Sequence, residues 1–97
     1  MKRYKTIVVE DEGPARRRIE ALVDEHPHLA LLDSFKNGLD AIKYIPKMHP
    51  DLLVMDIQLK DKTAFEVLES IHSTIVCPII FITAFDQFAL KAFEVAA

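Results

Sequence analysis

The sequence has a single cysteine and no long hydrophobic run, and both absences exclude classes of protein. Cys77 cannot form a disulfide within the chain and lies in an apolar segment before Pro78, so we expect it to be a small core residue. The longest apolar runs, such as 78–82, are much shorter than the roughly 20 residues of a membrane-spanning helix, and the lysine-rich start at 1–5 has no cleavage site. We therefore expect a cytoplasmic protein that does not contact a membrane.

An excess of positive charge is also absent. Lys and Arg number 12 against 15 Asp and Glu, and the formal net charge is −3, whereas domains that bind nucleic acid usually carry a basic patch. The one basic cluster, 16–18, falls within a helical pattern, so we expect no direct nucleic acid contact by this segment. At 97 residues the chain is long enough for one core but not for two, and we expect a single domain over residues 1–97.

Strand-like and helix-like patterns alternate along the chain, which is typical of βα units in a parallel sheet with helices on both faces. Strands are predicted at 4–10, 28–33, 52–56 and 79–83. Helices are predicted from Gly13–Pro14, after Asn37–Gly38, after the polar loop 60–62 and over 86–97. Because crossovers between parallel strands are right-handed, we expect the first and third strands to lie side by side, in the sheet order 2-1-3-4.

Finer expectations depend on single residues. Apolar stripes on the first three helices are predicted to face the core: Ala15, Ile19, Leu22 and Val23; Ile42, Ile45 and Met48; Ala64, Val67, Leu68 and Ile71. Pro27 is expected to end the first helix, and Pro46 to kink or shorten the second, because proline lacks a backbone donor. The fourth strand is continuously apolar and is expected to be covered on both faces.

Carboxylates follow two of the predicted strands. Glu10 and Asp11 come after the apolar run 6–9, and Asp56 comes after 52–55. In a parallel sheet these ends meet at the edge where ligands bind, and three carboxylates would repel one another there unless a hard cation lay among them. Mg²⁺ prefers oxygen ligands, so Asp11 and Asp56 are candidate direct ligands, with Glu10 acting through water. With a metal offsetting the repulsion, Asp56 is the candidate acceptor of a phosphoryl group.

The next strand adds two candidates, since the Thr83 hydroxyl and the backbone amide of Ala84 could hydrogen-bond that phosphoryl group. Each feature alone has an ordinary explanation: acidic residues at strand ends often form solvated loops, and a threonine can cap a loop. The hypothesis depends on their conjunction. The four histidines lie near turns or on a polar helix face, so we do not expect a zinc site.

Three segments together resemble one family, the receiver domains of two-component response regulators. They are 7–12 (IVVEDE), 53–59 (LVMDIQL) and 78–84 (PIIFITA), and the resemblance extends over essentially the whole chain. It implies a flavodoxin-like (CheY-like) α/β fold, phosphorylation of Asp56 by a sensor histidine kinase, and an acidic pair at Glu10 and Asp11. It also implies that the backbone carbonyl of Gln58 completes the Mg²⁺ shell and that Thr83 follows the phosphoryl group in the activation switch.

Segments 10–16 and 86–93 look most like receivers attached to a LytTR-type DNA-binding output domain, which implies transcription regulation by the full-length protein. Two residues depart from the family pattern. The family normally has proline where Lys60 stands, and the Lys60 ammonium could approach the acidic pocket. The family normally has glycine where Ala64 stands, and alanine is disfavoured if that position requires a positive φ.

The family's lysine and switch aromatic belong to a fifth βα unit beyond residue 97, so the resemblance implies a receiver that is incomplete at its C-terminus. The fourth strand would then be a sheet edge, and we expect a homodimer, another oligomer or a partner-dependent fold.

Two other function classes stay open. The domain could be a phosphorylation-independent interaction module that dimerises through the receiver scaffold, and Lys60, Ala64 and the missing lysine favour that hypothesis. A haloacid-dehalogenase-type phosphatase would also use a strand-end aspartate with Mg²⁺, but it needs a second carboxylate two residues after the nucleophile. Gln58 stands there, so we do not expect an enzyme.

Overall fold

Four parallel strands form the centre of the structure in the order β2-β1-β3-β4, as predicted. The computed structural model describes residues 2–82. The elements are β1 (Tyr4–Val9), α1 (Gly13–Glu25), β2 (Leu29–Phe35), α2 (Gly38–Met48), β3 (Leu52–Asp56), α3 (Ala64–Ile71) and β4 (Ile79–Ile82). The predicted helix over 86–97 and residues Thr83 and Ala84 lie outside the described residues.

Alternate residues of the central strands face two separate apolar layers, because successive side chains of a strand point to opposite faces. The larger layer packs β1 and β3 against α2 and α3, and its buried members are Ile7, Val9, Ala41, Ile45, Leu53, Met55, Leu59, Ala64, Val67 and Ile71. The smaller layer packs the other face against α1 through Val8, Val23 and Val54. The resulting α/β/α arrangement is the three-layer fold expected from the sequence.

Each helix begins at a residue suited to that position. Pro14 lies in the first turn of α1, where its missing N–H has no partner to lose. The Asn37 side chain caps α2 by accepting the Asp40 N–H at 2.7 Å. Thr63 and Glu66 form a reciprocal capping box at the start of α3. These caps determine where the loops that follow β2 and β3 end, and therefore shape the edge of the sheet on which the acidic residues lie.

The structure corrects several details of the sequence prediction. Leu22 is 64% exposed although it was placed on the buried stripe of α1, because it is turned about 100° from the buried Val23. The second strand extends to Phe35 rather than ending at residue 33. Ile80 is 51% exposed, so the expectation that β4 is covered on both faces is wrong at that residue.

The two helix-ending prolines act differently. Pro27 follows His26, which has the extended backbone that a residue before proline prefers, and α1 ends at Glu25 as expected. Pro46 lies inside α2, which continues only two residues further, to Met48. His49 then adopts a left-handed conformation with φ 50° and ends the helix.

The amino ends of β1 and β3 are joined by two hydrogen bonds. The Lys5 N–H donates to the Asp51 carboxylate at 2.9 Å, and the Asp51 N–H donates to the Lys5 carbonyl at 2.8 Å. Cys77 is partly buried against the larger apolar layer, as expected of a core residue, and burial raises the pKa of its thiol. Among residues 2–82, no helix combines the length and the apolar character that crossing a membrane requires.

Candidate metal centre

The acidic residues lie at the carboxyl ends of the two central strands. In the parallel pairing of β1 with β3, Val9 lies opposite Met55, so the residues that follow each strand meet at one edge of the sheet. The Glu10 N–H donates to the Phe35 carbonyl of β2 at 3.0 Å, which extends the ladder by one residue and fixes the backbone of Glu10. The strand order that the sequence predicted therefore determines where these carboxylates lie.

Glu10, Asp11 and Asp56 come together as predicted. One carboxylate oxygen from each residue lies within 4.8 Å of the others, and in the part of the chain that the structure describes this is the one such group of potential metal ligands. Glu10 is buried, with 6% of its surface exposed, whereas Asp11 and Asp56 are half-buried. A ligand could therefore reach the two aspartates from solvent while Glu10 lies behind them.

Burial is the main cause of perturbed pKa values in this cluster. It raises the pKa of Glu10 from an ordinary 4.5 to about 7; the Glu12 N–H, at 3.2 Å from its carboxylate, opposes the rise, and Asp11 and Asp56 add to it. Burial also raises the pKa of Asp56, against the N–H of Gln58. Both carboxylates therefore favour the protonated form more strongly than an isolated carboxylate does.

All of these donors are hard oxygen atoms, and none of the four histidines belongs to the cluster. Three oxygens within 4.8 Å are compatible with one small divalent ion, and two carboxylates with open sides leave room for the waters that Mg²⁺ retains. The residues present therefore fit Mg²⁺. Burial, with a smaller contribution from the neighbouring carboxylates, makes ionisation of Glu10 and Asp56 unfavourable without a cation, and the raised pKa values reflect this.

Asp11 accepts a hydrogen bond from a backbone N–H that the sequence analysis did not predict. The N–H of Lys60 donates to Asp11 Oδ2 at 2.7 Å, across 49 positions of the chain. The next residue, Asp61, accepts the N–H groups of Gly38 and Leu39 at 2.8 and 2.9 Å, and these hydrogen bonds lower its pKa. The segment after β3 is thus bonded to both the acidic cluster and the start of α2.

Arg16 approaches the cluster from α1 by contacting its backbone. One guanidinium nitrogen, Nη1, donates to the Glu10 carbonyl oxygen at 3.0 Å. The sequence analysis considered Arg16 only as part of a basic cluster. Its place one helical turn after Gly13 is the sequence signal that could have predicted a contact with the end of β1.

Comparisons with known proteins give independent information on the family and the fold of this chain. The sequence profile of the response regulator receiver domain matches residues 6–97. The chain belongs to the response regulator receiver domain family. It is 36% identical over 92 residues to the sensory transduction protein LytT of Enterococcus faecalis, which covers 94% of this chain and 38% of that protein. It is 31% identical over 90 residues to the transcriptional regulatory protein BtsR of Escherichia coli K12, covering 93% of this chain and 38% of that protein.

Solved receiver structures agree with the fold. The response regulatory domain of mrkE from Klebsiella pneumoniae superposes with a TM-score of 0.80 at 32% identity, covering 96% of this chain and 77% of that one. The receiver of Thermotoga maritima CheB gives a TM-score of 0.79 at 23% identity over 93% and 72% of the two chains, which supports the fold alone. The predicted CheY-like fold and the resemblance to LytTR-type receivers are thereby confirmed. The chain spans a little over a third of the length of these curated relatives.

The two departures from the receiver pattern are accommodated in the structure. Ala64 is the first residue of α3, fully buried, and its N–H donates to the Ile57 carbonyl at 2.8 Å. Among the described non-glycine residues only His49 has a positive φ, so Ala64 is not strained. Lys60 contacts the acidic cluster through its backbone N–H rather than through the ammonium considered from the sequence.

The roles predicted for Gln58, Thr83 and Ala84 are not tested by the structure. The N–H of Gln58 lies 3.3 Å from Asp56 Oδ1, so Gln58 is beside the cluster, while the metal-binding role of its carbonyl stays a prediction. Thr83 and Ala84 lie outside the described residues. The roles predicted for both therefore rest on the resemblance and on their place directly after β4, which ends at Ile82 next to Asp56 in the register.

Proposed function

We propose that this receiver domain accepts a phosphoryl group on Asp56 from a sensor histidine kinase, with Mg²⁺ held in the acidic cluster. The observation that carries the proposal is the meeting of Glu10, Asp11 and Asp56 oxygens within 4.8 Å at the solvent-accessible ends of β1 and β3. Membership of the receiver family supports the same role.

Each residue has a defined task in this proposal. Asp11, Asp56 and the Gln58 carbonyl would hold Mg²⁺ directly, with Glu10 acting through water. When bound, Mg²⁺ supplies the positive charge that offsets repulsion between the attacking carboxylate and the phosphoryl oxygens. An Asp56 carboxylate oxygen then forms a bond to phosphorus while the phosphorus–nitrogen bond of the donor phosphohistidine breaks. The histidine nitrogen leaves and takes up a proton.

Two further groups complete the acceptor side. The Thr83 hydroxyl and the Ala84 backbone amide are proposed to hydrogen-bond the transferred group, and Thr83 to follow it as the switch. A proton on Glu10, whose pKa burial raises to about 7, leaves the cluster before or during metal binding, because a carboxylate that helps to bind a cation acts as an anion.

The names of the relatives suggest the setting of this chemistry. LytT is a sensory transduction protein and BtsR a transcriptional regulatory protein. We propose that phosphorylation changes the state of a DNA-binding output domain in the full-length protein, and that the protein works in the cytoplasm. On this proposal the domain is a substrate of the kinase and not itself an enzyme.

Incubation with a small phosphodonor and Mg²⁺, followed by intact mass measurement, tests the assignment. We expect one added phosphoryl group in the wild type and none in Asp56→Asn. Asp51→Asn is the matched control, because Asp51 lies at the opposite end of β3 and should leave phosphorylation intact. Failure of the wild type to gain mass, or a gain that survives Asp56→Asn, would contradict the proposal.

A second function is favoured by one observation, the exposure of Ile80 on β4, the last strand in the described sheet order. An exposed apolar side chain on a terminal strand suits a contact between copies, and the domain would then act as a dimerisation module without phosphorylation. Sedimentation of wild type and Ile80→Thr distinguishes the cases: a dimer that Ile80→Thr dissociates supports the module. A monomer at all concentrations argues against it.

A further inference from the structure

We propose that the backbone N–H of Lys60 is a positioning group of the cation site, which fixes the Asp11 carboxylate in the orientation that a divalent ion requires. The inference rests on the proposed function and goes beyond it by assigning a residue outside the expected ligand set. Its starting observation is the 2.7 Å hydrogen bond from this N–H to Asp11 Oδ2.

The hydrogen bond uses Asp11 Oδ2, and the carboxylate still has a second oxygen and further lone pairs with which to bind a cation. A free aspartate side chain rotates about two bonds, and fixing it when a metal binds costs conformational entropy. Because the N–H already holds Asp11, that entropy is lost on folding rather than on metal binding. The partial positive charge of the amide also offsets some of the repulsion among the three carboxylates.

The donor is itself held in place on its C-terminal side by Asp61. Both oxygens of the Asp61 carboxylate accept N–H groups from the first residues of α2, Gly38 at 2.8 Å and Leu39 at 2.9 Å. Carboxylates bind well at a helix N-terminus, because the N–H groups there lack partners within the helix. The segment that carries Lys60 is therefore anchored to a helix and not only to the acidic cluster.

Gly38 permits this close approach. A Cβ atom at Gly38 would lie 3.0 Å from Lys62 Cβ and 3.0 Å from Val67 Cγ2, both closer than ordinary contact. A larger residue at this position would require Lys62 and Val67 to shift by a few tenths of an ångström, so glycine favours the close approach of α2 to the segment after β3.

The residues on either side of Lys60 are also bonded to each other and form a turn. The Leu59 N–H donates to the Lys62 carbonyl at 3.0 Å, and Leu59 itself is buried in the larger apolar layer. Gln58 and Thr63 form an antiparallel bridge around this turn. These contacts restrict the backbone on both sides of Lys60, and the Lys60 N–H donates to Asp11 Oδ2 from this restricted segment.

Proline at this position, the residue of the family pattern, would have no N–H to donate. The positioning bond is thus a property of this chain, in which lysine stands there. The ammonium of Lys60 takes no part in the inference, and the test must separate the side chain from the amide.

The test compares Lys60→Pro with Lys60→Ala, since both lack the ammonium and only the proline variant lacks the N–H. Mg²⁺ is titrated into each variant and the wild type, and binding is followed by amide resonances in ¹⁵N NMR. Loss of a group that orients a metal ligand typically weakens metal binding by about tenfold or more, so we expect Lys60→Pro to bind Mg²⁺ about tenfold more weakly than Lys60→Ala.

A chemically synthesised chain with an ester in place of the Leu59–Lys60 amide serves as the second variant, because it removes the N–H without imposing the proline ring. It should weaken Mg²⁺ binding in the same direction. Equal affinities for Lys60→Pro, Lys60→Ala and the ester would overturn the inference and leave the proposed function standing. If the wild type does not bind Mg²⁺ at all, both are overturned.

Discussion

Replacing Glu10 with glutamine is expected to stabilise the metal-free domain above neutral pH and to have little effect in acid. Glutamine keeps the oxygen that accepts the Glu12 N–H, but it cannot acquire the negative charge that burial disfavours. The folded-state pKa of Glu10, about 7, lies above its ordinary 4.5. The folded state therefore holds an extra proton between these values, and stability is highest below 4.5 and is lost as pH rises through about 7.

The size of the effect follows from the same pKa. One pKa unit corresponds to about 1.4 kcal/mol, so a rise from 4.5 to about 7 corresponds to about 3 kcal/mol in a fully dry site. Because water reaches the half-buried Asp11 and Asp56 beside Glu10, we expect about 2 kcal/mol. Burial raises the pKa of Asp56 as well, and this acts in the same direction.

Urea denaturation followed by circular dichroism in the presence of a chelator measures the effect at about pH 5 and about pH 8. The advantage of Glu10→Gln over the wild type should grow by about 2 kcal/mol between these conditions. Glu12→Gln is the matched control, because Glu12 is exposed and two residues away, and its difference from the wild type should stay constant. A Glu10→Gln advantage that does not change with pH would refute the reasoning.

Three further predictions concern stability and are measured by the same denaturation assay. Gly38→Ala should lower the free energy of unfolding by about 2 kcal/mol, because the added Cβ would lie too close to Val67. At Gly13 the added Cβ would meet only the flexible end of an arginine side chain, so Gly13→Ala should leave the free energy of unfolding unchanged or raise it by about 0.5 kcal/mol, and equal effects of the two variants would contradict this. Thr63→Ala should lower the free energy of unfolding by about 1 kcal/mol through loss of the capping box, and Thr63→Ser should retain most of that free energy. An unchanged urea midpoint for Thr63→Ala would contradict a stabilising role of the cap. His49→Gly should raise the free energy of unfolding by about 0.5 kcal/mol, since glycine accepts the φ of 50° without strain. A lower free energy of unfolding would show instead that the imidazole makes a stabilising contact.

The sheet and the acidic cluster could be predicted from the sequence because each depends on a pattern that is local in the chain. Four apolar runs separated by helical periodicity determine the strands, and the handedness rule determines the order in which they lie. Strand β3 was predicted with its observed bounds, 52–56. Once β1 and β3 are neighbours, the positions of Glu10, Asp11 and Asp56 follow from the strand ends alone.

The contacts after β3 could not be predicted in this way. The hydrogen bond from Lys60 to Asp11 uses a backbone N–H, which every residue except proline has, so no side chain marks it. The hydrogen bond from the Gly38 N–H to Asp61 joins residues 23 positions apart, and Asp61 lies in a short polar loop that has no periodicity from which the contact could be predicted. For Leu22 the spacing along the helix predicted burial, but the residue lies about 100° around α1 from the buried Val23 and is exposed.

The Lys5–Asp51 pair has a mechanical consequence for the far end of the sheet. Its two hydrogen bonds tie β1 to β3 at the end remote from the acidic residues. Glu10, Asp11 and Asp56 lie at the other end of the same two strands, and the paired residues of β1 and β3 lie between the two sites. We therefore expect cation binding to change the carboxyl ends of β1 and β3 while their amino ends, held by one bond to the Asp51 carboxylate and one from its N–H, keep the same pairing.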